Sequence, residues 1–374
     1  MKKLLLLFII ISLNAFGQSV TDGSYESLDE ALKNIGTAKK LYLIDNHLTE
    51  LDTRVAELVN LEEIILDENP DLNLEQVIEV LSGLKKLKNL YVSECNLYAL
   101  PSNFLTLSNL EYLDLDGNNF NDIPSQVRQL QHLKTLSLDD NKLTKLTISK
   151  NDLPNLTNIS LTYNLFEVFP VELGKLPNLK FILIWYNPIS LIPENISGFP
   201  NLERIEISDN KLKTIPSEFL KVSSLRVLGL NGNMIDNTSL LILSKMISLE
   251  NLDIGDNQLY EVPKELSNLR NLKRLDLSFN RITSLPEDFR RLENLEQIAL
   301  GALTGFKWEQ AFNILSYLKN LQGIAMFQMR LSQMPQGFEK LQQVKEFRMH
   351  ANSFSATECE RITAMVPNAK VSFR

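Results

Sequence analysis

One arrangement of apolar and polar positions, L-x-x-L-x-L-x-x-N-x-L, recurs along the chain from residue 38 to residue 354. Fourteen in-phase copies align on its Asn position, which we call the ladder position. Most steps between copies are 23 residues, but there are steps of 26 from 69 to 95, 24 from 233 to 257, and 26 from 303 to 329. The ladder position holds Asn in eleven copies and other residues in three: Asn46, Asn69, Asn118, Asn141, Asn164, Asn187, Asn210, Asn233, Asn257, Asn280 and Asn352, with Cys95, Leu303 and Met329.

Each copy predicts a short strand followed by a turn and a return segment. Leucines at alternate positions, such as Leu113 and Leu115, share one face of a strand. The Asn amide offers two donors and an acceptor for backbone groups of the turn, and Leu303 and Met329 are not expected to replace those hydrogen bonds. In the second half, as in residues 215–225, Pro216 fixes φ and apolar residues pack a short helical or extended segment inward. Because one copy cannot bury its apolar face alone, neighbouring copies must stack.

This pattern resembles the leucine-rich repeat family over about 85% of the chain. The 23-residue form with Pro, as in residues 280–286, is similar to bacterial repeats and to those of scaffold proteins in Ras signalling. The resemblance implies an α/β fold: a solenoid with a curved parallel β-sheet on its concave face, short helices and extended segments on its convex side, and helical caps. It also implies a role in protein recognition.

The amino-terminal residues 1–17 predict a signal peptide. Lys2 and Lys3 precede an apolar run at residues 4–13, and Ala15 and Gly17 supply small residues at the −3 and −1 positions of a cleavage site. The run is shorter than the roughly 20 residues of a stable membrane anchor. We therefore expect an exported protein, periplasmic or secreted. A buried amino-terminal strand or helix is the alternative.

Capping segments are predicted at residues 18–37 and 355–374. Residues 27–30 (Ser-Leu-Asp-Glu) form a capping box before a helix that Gly36 ends, and residues 357–360 (Thr-Glu-Cys-Glu) form a second one. Residues 366–373 resemble one last degenerate strand. The two cysteines, Cys95 and Cys359, lie about eleven copies apart, too far for a disulfide, which needs Cα atoms within about 7 Å.

Charge and motif content narrow the function classes. The net charge is −8 and no Lys/Arg-rich run is present, which argues against nucleic-acid binding. His47, His132 and His350 are far apart, and no metal-ligand spacing or catalytic motif accompanies them. We expect no cofactor and no enzymatic activity. By length, two or three domains would be expected, but the repeat predicts one elongated core.

Residues between the inward leucines are expected to face the concave surface, where they form three zones. Phe181, Leu183 and Trp185 alternate with core positions and should be exposed, and exposed aromatic residues often mark binding hot spots. The alternative is that a neighbouring loop or long side chain covers them. The zones are an acidic one with Glu63, Asp67, Glu68, Glu94, Asp114, Asp116, Asp139 and Asp140, an aromatic one with Tyr163, Phe181, Leu183, Trp185 and Tyr186, and a later one with Ala299, Gly301, Ala302, Ala325 and Phe327.

The acidic zone allows two interpretations. Asp114 and Asp116 share one strand face, and Asp139 should lie beside Asp116 on the next strand. These oxygens fit either a Ca²⁺ site or a solvated acidic face that steers a basic partner. A hydrolase would instead place carboxylates of raised pKa in a closed pocket, and an open sheet is expected to offer none.

These observations together predict a monomeric, non-enzymatic module that binds a protein partner of open identity through its concave face. Its predicted partner-binding residues are the aromatic zone with Asp114, Asp116 and Asp139. A surface adhesion or glycan-binding protein, or an accessory to an exported enzyme, is the alternative. Both 26-residue copies predict a true helix, and the irregular copies near residues 303 and 329 are either a structural variant or a second binding surface.

Overall fold

In the computed structural model, which describes residues 22–196 and 198–373, sixteen parallel strands form one open curved sheet in chain order. The predicted signal peptide, residues 1–17, lies outside the described residues. The strands are β1 Ser24–Tyr25, β2 Lys40–Tyr42, β3 Glu63–Ile65, β4 Asn89–Tyr91, β5 Tyr112–Asp114, β6 Thr135–Ser137, β7 Asn158–Ser160, β8 Phe181–Leu183, β9 Arg204–Glu206, β10 Val227–Gly229, β11 Asn251–Asp253, β12 Arg274–Asp276, β13 Gln297–Ala299, β14 Gly323–Ala325, β15 Glu346–Arg348 and β16 Lys370–Ser372.

Equivalent residues of successive copies lie directly opposite one another. Leu113 of β5 pairs with Leu90 of β4 and Leu136 of β6, and all three side chains are fully buried. This register stacks the apolar positions into one core cluster that extends from Tyr25 to Val366. The fold confirms the predicted solenoid. The short first strand β1, which the sequence did not predict, extends the sheet beyond the first copy.

Asn118 shows why one polar residue type recurs inside this core. Its Nδ2 donates to the carbonyls of Val92 in the preceding copy (2.9 Å) and Leu115 in its own (3.0 Å). Its Oδ1 accepts the backbone N–H of Cys95 (3.2 Å) and Leu97 (2.9 Å). A single amide thus provides hydrogen bonds to backbone groups of two successive turns. These groups are shielded from water and would otherwise be unpaired.

Two of the exceptions at the ladder position replace part of this bonding with sulfur. The Cys95 thiol lies 3.3 Å from the carbonyl oxygens of Leu66 and Ser93, so it donates where the amide would. The Met329 sulfur accepts the N–H of Leu303 at 3.3 Å. The expectation that Met329 replaces none of the Asn hydrogen bonds was therefore wrong. Cys95 is buried, and neither it nor Cys359 is in a disulfide.

The residue just before each ladder position is left-handed in all fourteen copies, with φ between 46° and 66°. We call this line of residues the rim column. Only two of its members are Gly, although other residues cost roughly 1–2 kcal/mol in this conformation. The column comprises Asp45, Glu68, Glu94, Gly117, Asp140, Tyr163, Tyr186, Asp209, Gly232, Asp256, Phe279, Ala302, Gln328 and Ala351.

Substitution of Ala302 by Gly should therefore stabilise the protein. Ala302 has φ 55°, and removing its Cβ relieves left-handed strain at the cost of only one methyl group. We expect the free energy of unfolding to rise by roughly 1 kcal/mol. The matched change Ala311→Gly, in a buried helical position, should lower it by about 1 kcal/mol or more. Urea denaturation of both variants tests this, and the same sign for both changes would contradict it.

The convex side carries short helices. Pro precedes most of the 3₁₀ segments because its φ suits the first position of a helix. Both 26-residue copies contain the predicted true helix, and a third long helix follows Asp236, whose side chain caps it. The α-helices are α1 Leu28–Lys33, α2 Leu74–Leu81, α3 Ser125–Arg128, α4 Asn237–Leu243, α5 Trp308–Leu315 and α6 Ala356–Met365, and the 3₁₀ helices are Thr53–Glu57, Ser102–Thr106, Val171–Lys175, Ser217–Lys221, Lys264–Asn268, Glu287–Arg291 and Phe338–Lys340.

Both predicted capping boxes need correction. Ser27 does precede α1, but its side chain makes no capping hydrogen bond. At α6 the capping residue is Ser355 rather than Thr357, and its hydroxyl accepts the N–H of Glu358 at 3.2 Å. The helix starts two residues earlier than predicted because Ser355 and Glu358 form the equivalent pair of positions. The Glu358 carboxylate instead accepts the backbone N–H of Met334 at 2.7 Å, which ties the helix to the preceding copy.

A second line of asparagines joins the copies at the amino-terminal side of the strands. Asn178 Nδ2, for example, donates to the carbonyl of Pro154 at 2.8 Å. The repeat pattern did not predict this line, although the dipeptide Asn-Leu before eight of the sixteen strands was a visible signal. The donors with an equivalent bond are Asn60, Asn109, Asn155, Asn178, Asn201, Asn271, Asn294 and Asn320.

Candidate functional site

Two tyrosines in the rim column form the most exposed part of the aromatic zone. Tyr163 and Tyr186 lie on successive copies, and their rings stack with centroids 4.5 Å apart and planes 4° from parallel. Their residues are 43% and 38% exposed. Burial, and then the nearby Asp209 carboxylate, raise the pKa of the Tyr186 hydroxyl to about 12. The pair therefore presents an ordered aromatic surface to solvent.

The other three aromatic-zone residues are only partly exposed. Phe181, Leu183 and Trp185 are half-buried, so the expectation that they are exposed was wrong. Strands about 4.8 Å apart bring large side chains of neighbouring copies into contact, and each covers part of the next. The indole Nε1 of Trp185 is buried without a hydrogen-bond partner, a group that usually finds one.

Exposed apolar residues continue from the tyrosine pair around the edge of the same two copies. Leu165 follows the ladder residue Asn164, and Val168 and Leu191 form a bridge between the two turns. All three are exposed. These three residues were not predicted because the concave zones were assigned only from positions that precede the ladder residue. The signal was available, since apolar residues here occupy turn positions that other copies fill with polar ones, such as Lys142 and Lys211.

The predicted acidic residues lie together and bond to the backbone of the next strand. The Asp116 carboxylate accepts the N–H of Asp139 at 2.7 Å, and Asp139 in turn accepts the N–H of Thr162 at 2.6 Å. Asp114 accepts the N–H of Asp116 at 3.0 Å. These carboxylates thus accept hydrogen bonds from backbone N–H groups just beyond the ends of the strands. The sequence pattern did not predict this structural role.

Crowding of these carboxylates changes their protonation. Burial is the main cause that raises the pKa of Asp139 to about 7, and repulsion from Asp114 adds to it. The pKa of Asp116 is also raised well above its ordinary value, first by burial and then by Asp114 and Asp139. Burial likewise raises the pKa of Asp67 to about 7. The expectation that an open sheet offers no carboxylates of raised pKa was therefore wrong, because side chains on adjacent strands desolvate one another.

A second carboxylate group, absent from the sequence-based prediction, lies on strands β9, β11 and β12. Burial and then repulsion from Asp276 raise the pKa of Asp253 to about 7. Glu206 is buried and lies 2.8 Å from Arg204. The Glu206 carboxylate occupies the space that a Cβ at Gly229 would take. Gly at this strand position, where other copies carry side chains, was the signal that could have located the group.

The later concave zone carries an aromatic stack. The Phe327 ring lies against Gly301, where a Cβ would approach it within 2.4 Å. It stacks on His350 with centroids 4.9 Å apart and contacts Phe279 at 5.6 Å. His350, which no sequence motif accompanies, is therefore part of an aromatic cluster. A role for this cluster as a second binding surface stays a prediction.

Outside the concave zones, the described residues include a groove, but they form neither a metal-binding cluster nor a membrane-spanning helix. A groove of about 600 Å³, lined by residues that include His132, Lys134 and Lys180, lies at the amino-terminal ends of the strands, opposite the carboxylates. Within residues 22–196 and 198–373, no group of three or more His, Cys, Asp or Glu side chains has an arrangement that could hold a metal ion. No helix in that part of the chain is long and apolar enough to cross a membrane.

Sequence comparison agrees with this geometry. A family profile described as a leucine-rich repeat region matches residues 219–366, and one described as leucine rich repeat matches residues 85–143 and 177–235. The chain belongs to the leucine-rich repeat family. A comparison of this leucine-rich repeat protein with curated protein sequences finds no significant match.

Solved structures similar to this leucine-rich repeat protein include three of different origin. A leucine-rich repeat protein of Leptospira interrogans has a TM-score of 0.64 and 26% identity, over 94% of this chain and 99% of that chain. TLR13, in a complex with ssRNA, has a TM-score of 0.68 and 21% identity, over 90% of this chain and 54% of that one. An internalin of Listeria monocytogenes has a TM-score of 0.57 and 20% identity, over 91% and 87%. The latter two show the shared fold alone.

Proposed function

We propose that this leucine-rich repeat protein is an exported, non-enzymatic binding module that recognises a protein partner through its concave face and the adjoining edge of the copies that contain Asn164 and Asn187. The observation that carries the proposal is the stacked pair Tyr163–Tyr186, exposed at left-handed positions. Gly or Asp would fill those positions at lower cost. Strained residues of this kind concentrate at functional sites.

The surface around the pair supports a protein ligand. Tyr163, Leu165, Val168, Tyr186 and Leu191 are all large, apolar or aromatic, and exposed, within two successive copies. Such concentrated apolar exposure marks interaction sites, and Tyr is enriched among interface hot spots. The net charge of −8 and the exposed Asp140 next to the pair disfavour a nucleic-acid backbone because negative charge repels phosphates. The signal peptide predicted at residues 1–17 supports export.

Loss of the tyrosine pair should abolish partner capture. The full-length protein would be tagged and cross-linked to its own cell envelope and surroundings, and captured proteins quantified by mass spectrometry. For the variant Tyr163→Ala/Tyr186→Ala we expect at least tenfold lower recovery of a specific partner, since hot-spot residues each contribute about 2 kcal/mol or more. The variant should keep the wild-type melting temperature within about 3 °C, because both side chains are exposed.

The matched control is Tyr98→Ala/Tyr260→Ala, which removes two exposed tyrosines from other copies. This control should capture the partner as well as the wild type. Equal loss in both variants, or no loss in either, would contradict the proposal. Capture that survives protease treatment of the extract but not glycosidase treatment would favour the glycan-binding alternative.

A further inference from the structure

The rim column places a carboxylate beside the tyrosine pair. Asp140 lies one strand before Tyr163, and backbone hydrogen bonds fix this order: the Asp140 N–H donates to Thr162, and the Tyr163 N–H donates to Trp185. Neighbouring strands are about 4.8 Å apart. Because Tyr186 covers one face of the Tyr163 ring, the opposite face is directed toward the strand of Asp140.

This arrangement creates a notch. The carboxylate carbon of Asp140 is its Cγ, and the Cγ of Tyr163 is only the first atom of its ring. The Tyr163 ring therefore extends further from the backbone than the Asp140 carboxylate does. The outer face of the Tyr163 ring stays open. Both residues are exposed. At the other end of the pair, the Asp209 side chain lies against Gly232, where a Cβ would approach its Oδ1 within 2.4 Å, and its carboxylate is close enough to raise the pKa of the Tyr186 hydroxyl. The open notch is therefore the one that Asp140 and Tyr163 form.

The charge of the notch is uncompensated. Among the described residues, no Lys or Arg nitrogen lies within 4.0 Å of Asp140, Asp114, Asp116 or Asp139. Carboxylates at the opposite ends of the strands are paired, as Glu111 is with Lys88 at 2.8 Å. The Asp140 carboxylate next to the tyrosine pair thus has no cation of this chain beside it, and a partner must complement its charge.

We propose, on the basis of the proposed function, that Asp140 and the outer face of Tyr163 bind an arginine side chain of the protein partner. A guanidinium is planar and weakly hydrated, so it stacks on an aromatic face while its N–H groups donate to a carboxylate. Lys satisfies the charge but not the planar stacking. The pairing of Asp with an aromatic residue recurs in the rim column at Asp256 and Phe279, so the test includes that position.

A displayed library of random ten-residue peptides would be selected on the full-length protein, and binding of each enriched peptide measured by titration. We expect peptides whose binding requires Tyr163 and Tyr186 to share an Arg. Replacement of that Arg by citrulline, a neutral isostere, should weaken binding at least tenfold. Asp140→Asn should weaken the Arg peptide to a similar extent, and citrulline should then cause little further loss.

Two variants serve as controls. Asp45→Asn removes an exposed carboxylate from the same column beside Glu68 rather than an aromatic residue, and it should leave binding unchanged. Asp256→Asn should also leave it unchanged, and dependence on Asp256 instead of Asp140 would overturn the assignment. Peptides that need the tyrosine pair but ignore both citrulline and Asp140→Asn would overturn the arginine proposal and leave the proposed function standing. A library with no peptide that depends on the pair would count against both.

Discussion

Replacement of Asn118 by Ala should lower the free energy of unfolding by roughly 3–5 kcal/mol. The change leaves the N–H groups of Cys95 and Leu97 and the carbonyl of Val92 without their side-chain partner in the core. Each unsatisfied buried backbone group costs roughly 1–3 kcal/mol. Because Asn118 is only 4% exposed, water cannot readily replace the amide. Urea denaturation followed by circular dichroism measures the loss.

Two matched variants separate this effect from the loss of an amide in general. Asn109→Ala, in the same copy, removes one exposed hydrogen bond, to the carbonyl of Lys85 at 3.0 Å, and should cost about 1 kcal/mol or less. Asn118→Cys should lie between the two, since the thiol of Cys95 shows that sulfur can still donate at a ladder position. If Asn118→Ala and Asn109→Ala cost the same, the ladder is not a main source of stability.

Asp139→Asn should stabilise the protein above neutral pH. The folded-state pKa of Asp139 is about 7, above its unfolded value of about 3.9, so the folded state binds the proton more tightly. Its contribution is therefore most favourable below pH 4 and is lost as the pH rises to 7. Asn keeps an acceptor for the N–H of Thr162 and removes the repulsion from Asp114. At pH 8 we expect a gain of roughly 2–4 kcal/mol.

The measurement is the free energy of unfolding of wild type and variant from pH 5 to pH 8. The wild type should lose stability over this range, and the variant should lose less. The control Asp71→Asn removes the same charge from an exposed position, and it should change the free energy of unfolding by the same amount at pH 5 and at pH 8. A wild-type protein that gains stability from pH 5 to pH 8 relative to Asp139→Asn would show that the carboxylate is stabilised by its N–H partners more than it is disfavoured by burial.

The strand positions, the stacking order and the ladder residues were predictable because each depends on a local pattern repeated at fixed spacing. Leu113 is buried and Asn118 is bonded for reasons that hold equally at every copy. The caps were less predictable: Ser355 and Thr357 both suit a helix start, and only packing against the preceding copy, through Glu358 and Met334, selects between them.

The candidate site was predicted only in part. Tyr163 and Tyr186 were predicted to face the concave surface and are exposed, whereas Phe181, Leu183 and Trp185 were predicted to be exposed and are half-buried. Exposure at a concave position depends on the size of the side chains one strand away, which are 23 residues distant in sequence. The bridge of Val168 to Leu191 has the same origin.

The sequence by itself determined the repeat, its core and its hydrogen-bonding asparagines, since alternation of apolar residues and the bonding capacity of an amide act within one copy and its neighbour. Only the tertiary structure decided how the variable residues combine. Left-handed backbone at the rim column stacks Tyr163 on Tyr186, and strand spacing brings Asp116 and Asp139 close enough to change their protonation. Both depend on distances between copies, which no single copy specifies.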